Sequence, residues 1–162
     1  MLFRDALNLI KPAAPTGAHW ADLGCGSGLF TRALATLLAD GSTIDAIDAA
    51  PQKPIESPNP AVEIRFQQQD FTSEPPQSLD GVLMANSLHF VRNKAALLKR
   101  LNARQLIIVE YDTMLANPYV PYPADWAHLE AMLKGIGLTD VRRLGDRPSV
   151  YGKVSMYAAS AR

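Results

Sequence analysis

Three glycines at alternate positions, Gly24, Gly26 and Gly28, close the run Ala21-Asp22-Leu23, and a helical pattern starts at once with Leu29. Glycine has no Cβ and tolerates positive φ, so such a turn can be tight and can let a ligand approach the backbone. A helix that begins there points its free N–H groups and the positive end of its dipole at the turn. The chemistry implied is capture of a nucleotide-like ligand. The dinucleotide pattern G-x-G-x-x-G needs its third glycine where this chain has Leu29. A phosphate-binding loop needs Gly-Lys-Ser/Thr, which does not follow. What remains is G-x-G-x-G preceded by Asp22.

The elements around this turn can be read from periodicity. Apolar residues at near-helical spacing predict a short leading helix over 3–11, ended by Pro12, with a loop to Gly17. A first strand over 19–23 runs into the glycine turn, and residues 29–38 carry one apolar helical face. A second strand covers 43–48. Pro51, Pro54, Pro58 and Pro60 then exclude a full helix, because each interior proline costs about 3 kcal/mol. Clean alternation over 62–66 predicts a third strand that ends near Asp70, and residues 72–78 form a loop. Residues 80–86 are apolar enough for a central parallel strand. Asn93 caps an expected helix over 94–101, with Ala96, Leu97 and Leu101 inward. A β-branched fifth strand spans 105–111. Pro123 suits the first turn of a helix over 124–135, ended by Gly135 or Gly137. Strands over 141–144 and 154–159 follow, joined by a 145–152 loop and antiparallel. Strands alternating with helices imply right-handed crossovers, hence an α/β doubly wound sheet with a hairpin at one edge.

With these elements in place, the chain resembles the class I S-adenosylmethionine-dependent methyltransferases. The resemblance rests on Asp22 to Gly28, on Asp48 at the end of strand two, and on Asp70-Phe71 after strand three. It rests also on Asp80 to Asn86 and on the following Ser87-Leu88-His89-Phe90. It implies a single Rossmann-like domain over residues 1–162, with a mostly parallel seven-stranded sheet and helices on both faces. The cofactor implied is S-adenosylmethionine. Gly24, Gly26 and Gly28 would bring the backbone to its methionine part, and Asp48 would accept from the ribose hydroxyls. Asp70 would accept from the adenine amino group, beside Phe71. Asn86 would offer its backbone carbonyl to the ammonium, and Asp22 would order the loop or reach the ammonium through water. Plainer roles also suit some of these residues: Asp48 as a solvated strand-end acid, Asp70 as a turn acid, Phe71 as core.

A methyl on a positive sulfur is already activated, so the protein mainly aligns it and excludes water. A base is needed only where the nucleophile carries a tightly held proton. In an open α/β sheet the second substrate lies beyond the carboxyl ends of strands four and five. That places His89, Glu110, Tyr111 and Asp112 in reach, with Tyr119, Tyr122 and Tyr151 on loops. His89 is the base by type, since imidazole titrates near neutrality; packing on Phe90 and Val91 is the alternative. Glu110 could orient an amine or hydroxyl, or be a strand-end charge. The tyrosines line a pocket or pack within their own proline-rich loop. Trp126 reads as core. Cys25, the single cysteine, reads as a small loop residue, and no internal disulfide is possible. No Cys/His cluster points to zinc.

The 162 residues can bury a real core, and 48% hydrophobic with 20% charged residues is a soluble globular balance. The net charge of +0 gives no electrostatic case for nucleic acid or a membrane. Between Lys134 and Arg162, six basic residues stand against Asp140 and Asp146, a local surplus that reads as a solvated surface, with an anionic substrate near the C-terminal part as the alternative. Lone cysteine, no apolar leader and no spanning run together imply a cytoplasmic protein. The expected function is methyl transfer to a small-molecule acceptor. A cofactor-binding regulatory protein without turnover is the alternative, and a nicotinamide oxidoreductase is disfavoured by Leu29.

Overall fold

A computed structural model describes residues 1–149 and 154–162. The first helix, α1 (Phe3–Ile10), runs into a short 3-10 turn at Lys11–Ala13. Then come β1 (His19–Leu23), α2 (Leu29–Leu37), β2 (Thr43–Asp48), β3 (Glu63–Gln68) and β4 (Gly81–Ala85). After a 3-10 turn at Leu88–Phe90 the chain forms α3 (Lys94–Leu101), β5 (Gln105–Tyr111), α4 (Trp126–Gly135), β6 (Arg142–Pro148) and β7 (Ser155–Ala161). The seven strands make one sheet in the order β3-β2-β1-β4-β5-β7-β6. The first five are parallel, and β7 runs antiparallel between β5 and β6. The order reverses between β1 and β4, which is where doubly wound sheets open a crevice.

Strand alternation sends side chains to two separate cores. Trp20, Ile44, Leu83 and Ile107 meet α1 and α2 through Ala6, Ile10, Phe30 and Leu34. Ala21, Ile47, Met84 and Ile108 meet α3 and α4 through Leu97, Leu101, Leu129 and Leu133. Trp20 is the largest fully buried side chain. It lies across Gly81, where a Cβ would come within 2.4 Å of the indole, so only glycine fits that register. Gln105 holds the leading segment to β5, donating to Ala13 O at 2.8 Å and accepting from Thr16 N at 3.3 Å.

Four expectations are corrected in detail. Ala96 is exposed; the inward face of α3 is Lys94, Leu97, Leu98 and Leu101, a strict i, i+3, i+4, i+7 stripe. Helix α4 begins at Trp126, because Asp125 caps it by accepting from His128 N at 3.0 Å, and Pro123 stands before the cap. Strand β6 starts one residue late and continues to Pro148, past an irregularity at Arg143–Gly145, since its pairing with β7 resumes beyond the bulge. Strand β3 pairs with β2 from Glu63 to Gln68 and stops short of the expected end near Asp70. The prolines do keep 51–57 free of helix, and Asn93 caps α3 by accepting from Ala96 N. No helix of the described residues is long and apolar enough to cross a membrane.

Candidate functional site

The glycine turn leaves β1 at the reversal point of the sheet. Gly24, Gly26 and Gly28 have φ of 78°, 51° and 81°, the left-handed region that L side chains resist. Gly24 and Cys25 donate their N–H groups to Ile47 O, which ties the turn to the end of β2. A Cβ at Gly24 would lie 2.5 Å from that of Ser87, with the Phe71 ring edge next at 3.7 Å. A Cβ at Gly28 would run into Ile55, whose side chain comes from the proline-rich segment. Above Gly26 there is open space out to 4 Å, and this is where a ligand can meet the backbone.

Asp48 is half-buried beside that opening. Its Oδ2 accepts from Gly26 N at 2.8 Å and its Oδ1 from Ala50 N at 2.9 Å. The carboxylate therefore shapes the glycine turn and keeps further lone pairs for a ligand's hydroxyls. Asp22 is sealed beneath the turn. Thr31 Oγ1 on α2 donates to its Oδ2 at 2.6 Å. Burial, and secondarily the Asp48 charge, raises its pKa to about 7 against the pull of Thr31. Asn86 ends the β4 crossover in the left-handed region at φ 56°, its N–H bound to Val109 O. Among the described residues, two buried acceptors at this crevice lack any hydrogen-bond partner: Asp22 Oδ1 and Asn86 Oδ1. Buried acceptors seldom stay unpaired, and these two fit a cationic ligand that carries N–H donors.

Asp70 is exposed, and its own turn occupies it: Thr72 donates through N and Oγ1 to Oδ1, and Ser73 Oγ to Oδ2. Those bonds hold its pKa below the ordinary carboxylate value. Phe71 is buried and reaches the turn through its ring edge at Gly24.

His89 and Glu110, 21 residues apart, form one buried pair. Glu110 Oε2 lies 2.7 Å from His89 Nδ1, and Oε1 accepts from His89 N at 3.0 Å. Both side chains are under 5% exposed. The register brings them together: Ala85 lies opposite Val109, so the chain leaving β4 passes the end of β5. With the carboxylate facing Nδ1, the neutral form of the imidazole carries its proton on that nitrogen and its lone pair on Nε2. The pair backs a cavity of about 770 Å³ that starts at Asn86 and includes His89, Phe90, Tyr111, Tyr119 and Val120 in its lining.

The remaining candidates fall elsewhere. Asp112 accepts from Trp126 N and pairs with Arg143 at 2.8 Å, so it takes different partners from Glu110. Tyr122 N donates to His89 O, and the Tyr122 carbonyl accepts from Lys94 Nζ. Tyr151 lies outside the described residues. Burial, with Asp22 and Asp48 adding to it, pushes the Cys25 thiol up to about 12, which keeps it protonated and unreactive. His19 and His128 pair with Asp45 and Asp125 respectively. Two features escaped sequence reasoning. Lys94 turns inward to bind Val91 O and Tyr122 O, and burial lowers its pKa. Ile55 covers Gly28. The i, i+3, i+4, i+7 stripe marked Lys94; nothing local marked Ile55.

The sequence matches the methyltransferase domain family over residues 21–106. The chain belongs to that family. A comparison with curated protein sequences gave no match. Solved structures share its fold at low identity. One is magnesium protoporphyrin IX methyltransferase from Synechocystis PCC 6803 with bound S-adenosylmethionine, at 18% identity and TM-score 0.65, covering 99% of this chain and 77% of that one. Another is the 1,6-didemethyltoxoflavin-N1-methyltransferase of Burkholderia thailandensis, with bound 1,6-didemethyltoxoflavin and S-adenosylhomocysteine. It is 19% identical with TM-score 0.69, covering 99% and 77%. A cyclopropane-fatty-acyl-phospholipid synthase-like protein from Lactobacillus casei ATCC 334 gives TM-score 0.72 at 12% identity, covering 98% and 89%.

Proposed function

We propose that this chain transfers the methyl group of S-adenosylmethionine to a small-molecule acceptor whose nucleophile first loses a proton to His89. The observation that carries the proposal is the buried His89–Glu110 pair, which backs a cavity beginning at Asn86. The bound cofactor supplies a methyl on a positively charged sulfur, open to direct displacement. Asp22 Oδ1 and the Asn86 oxygens supply acceptors for its ammonium. Gly24 and Gly26 let it reach the backbone, and Asp48 takes its ribose hydroxyls. Asp70 and Phe71 take the adenine, Phe71 reaching the glycine turn through its ring edge. Glu110 is a positioning residue: it fixes the imidazole tautomer and balances the charge that His89 gains. We infer too that residues 1–162 act as one domain in the cytoplasm. The packing of α1 into the core it shares with α2 supports the single domain.

Calorimetry with S-adenosylmethionine, S-adenosylhomocysteine and NAD tests the cofactor. The first two should bind and NAD should not; binding of NAD alone sinks the proposal. Asp48→Ala should weaken S-adenosylhomocysteine binding about tenfold or more, the loss of charged hydrogen bonds. A methyl-transfer screen over a metabolite library, read as homocysteine product, identifies the acceptor. His89→Gln should then lower kcat by about a hundredfold or more, the range of general-base catalysis, with cofactor affinity unchanged. Glu110→Gln should shift the pH profile of kcat rather than abolish binding. Cofactor binding with no transfer to any acceptor would favour a silent regulatory protein instead.

A further inference from the structure

The cavity beside His89 also constrains what can enter it. Three of its lining side chains are Phe90, Tyr111 and Tyr119, and two more are Val120 and Val154. The imidazole belongs to that aromatic surface. Its centroid lies 4.4 Å from the Phe90 ring and 5.9 Å from the Tyr111 ring, with interplanar angles of 53° and 44°. Among the described residues that line the cavity, none is Asp, Glu, Lys or Arg; Asn86, Thr113, Asn117 and His89 supply its polar groups. Glu110 stands behind His89 and is spent on Nδ1 and the His89 N–H. Of these lining residues, Phe90 is 56% and Tyr119 83% exposed.

We propose that the methyl acceptor is an uncharged aromatic compound that is methylated on a ring hydroxyl or ring N–H, with Phe90 and Tyr111 setting specificity. This rests on the methyltransferase reading above and narrows its acceptor. A proton acceptor with its lone pair on Nε2 serves a nucleophile that carries a proton, which a thioether or tertiary amine does not. A flat molecule donating to that nitrogen meets the rings beside it, and offset or edge-to-face ring contacts reward an aromatic partner over a saturated one. A carboxylate or ammonium on the ring would meet no opposite charge among the described lining residues and would lose its water. The volume suits a molecule of one to a few fused rings.

The ring O–H or N–H gives its proton to His89 Nε2. The electron pair left on oxygen or nitrogen forms the new bond to the methyl carbon. The sulfur–methyl bond breaks with its pair kept by sulfur, which becomes a neutral thioether. The imidazolium then returns its proton to water.

The test uses the full chain saturated with S-adenosylhomocysteine, with acceptor binding read by calorimetry. The probes are 2-naphthol, its saturated counterpart decahydro-2-naphthol, and 2-naphthoate. 2-Naphthol should bind about tenfold or more tighter than either of the others, the scale of ring contacts and of an unpaired buried charge. Tyr111→Leu and Phe90→Leu should each weaken 2-naphthol about fivefold or more, with S-adenosylhomocysteine affinity unchanged. With S-adenosylmethionine, 2-methoxynaphthalene should appear by mass spectrometry. Equal or tighter binding of the saturated alcohol or the carboxylate overturns the inference, as does failure of all three to bind. The ranking on the unaltered protein needs no variant to fold. Failure of S-adenosylhomocysteine itself to bind would sink the methyltransferase reading as well; a reversed ranking with that cofactor bound sinks only the aromatic acceptor.

Discussion

Asp22 is a buried carboxylate with one hydrogen bond from Thr31 and an oxygen left unpaired. Its pKa of about 7 in the folded chain stands above the ordinary 3.8, mainly through burial. The folded state thus holds a proton that the unfolded chain has released. That stabilisation is complete below about pH 4 and is lost as pH rises through about 7. The cofactor-free protein should therefore melt at lower temperature at about pH 8 than at about pH 5, other groups held equal. Asp22→Asn should flatten this slope and stabilise the free protein at about pH 8 by on the order of a few kcal/mol. The same variant should bind S-adenosylmethionine less well, and the parent's affinity should rise between about pH 6 and 8 as the carboxylate ionises. Melting curves across this range decide the matter; an identical slope in the variant removes the assignment. The sequence shows Asp22 before the glycines but not its sealed position, which α2 imposes from above through Thr31. His89 and Glu110 were likewise legible one at a time. Their pairing needs the β4–β5 register, which no local pattern encodes. Asp70 is the reverse case, because Thr72 and Ser73 lie two and three residues on and its turn is written within four consecutive residues.

At the scale of elements, the proline-rich crossover supplies a packing contact without forming a helix. Ile55 packs on Gly28, at the very start of α2. A methyl at Gly28 meets two obstacles, a φ of 81° and Ile55 atoms 2.7 Å away. Gly28→Ala should cost roughly 2–4 kcal/mol, combining the left-handed penalty with overpacking. In an Ile55→Ala background the same change should cost only the backbone share, about 1–2 kcal/mol. Urea unfolding of the four proteins in this cycle measures the difference, and additive costs would show that Ile55 does not press on the turn. Prolines announce that no helix forms at 51–57, a local steric fact. The residue they deliver to Gly28 comes from long-range packing, so the absence of helix was readable and the contact was not. Element ends behaved the same way. Asn93 is a local cap and was readable, whereas the start of α4 is set in part by Asp112, 14 residues upstream of Trp126.

Over the whole molecule, stability should follow position in the sheet. Strand β5 lies between β4 and β7, and its residues 105–110 are buried. Strand β7 is the last element in the chain yet sits inside the sheet, with residues 156–161 buried. Alternating strand and helix patterns implied a doubly wound sheet, and the antiparallel hairpin could be read from its two short runs. The insertion of β7 between β5 and β6 could not, because strand order depends on which edge is left to be covered. Strand β3 has only β2 as a neighbour and leaves four of its six residues exposed. Protection against hydrogen exchange reports such local opening energies. Amides of β5 and β7 should exchange slowest, near the rate set by global unfolding, and those of β3 markedly faster. Adding S-adenosylhomocysteine should slow exchange most at 24–28 and around Ala50, where Asp48 already holds Gly26 N and Ala50 N. Strand β6, at the far edge, should gain only what global stabilisation gives every slow amide. Peptide-resolved exchange with and without the ligand separates these effects. Uniform slowing across β3, the glycine turn and β6 would mean that the cradle at the reversal point is not where the ligand binds.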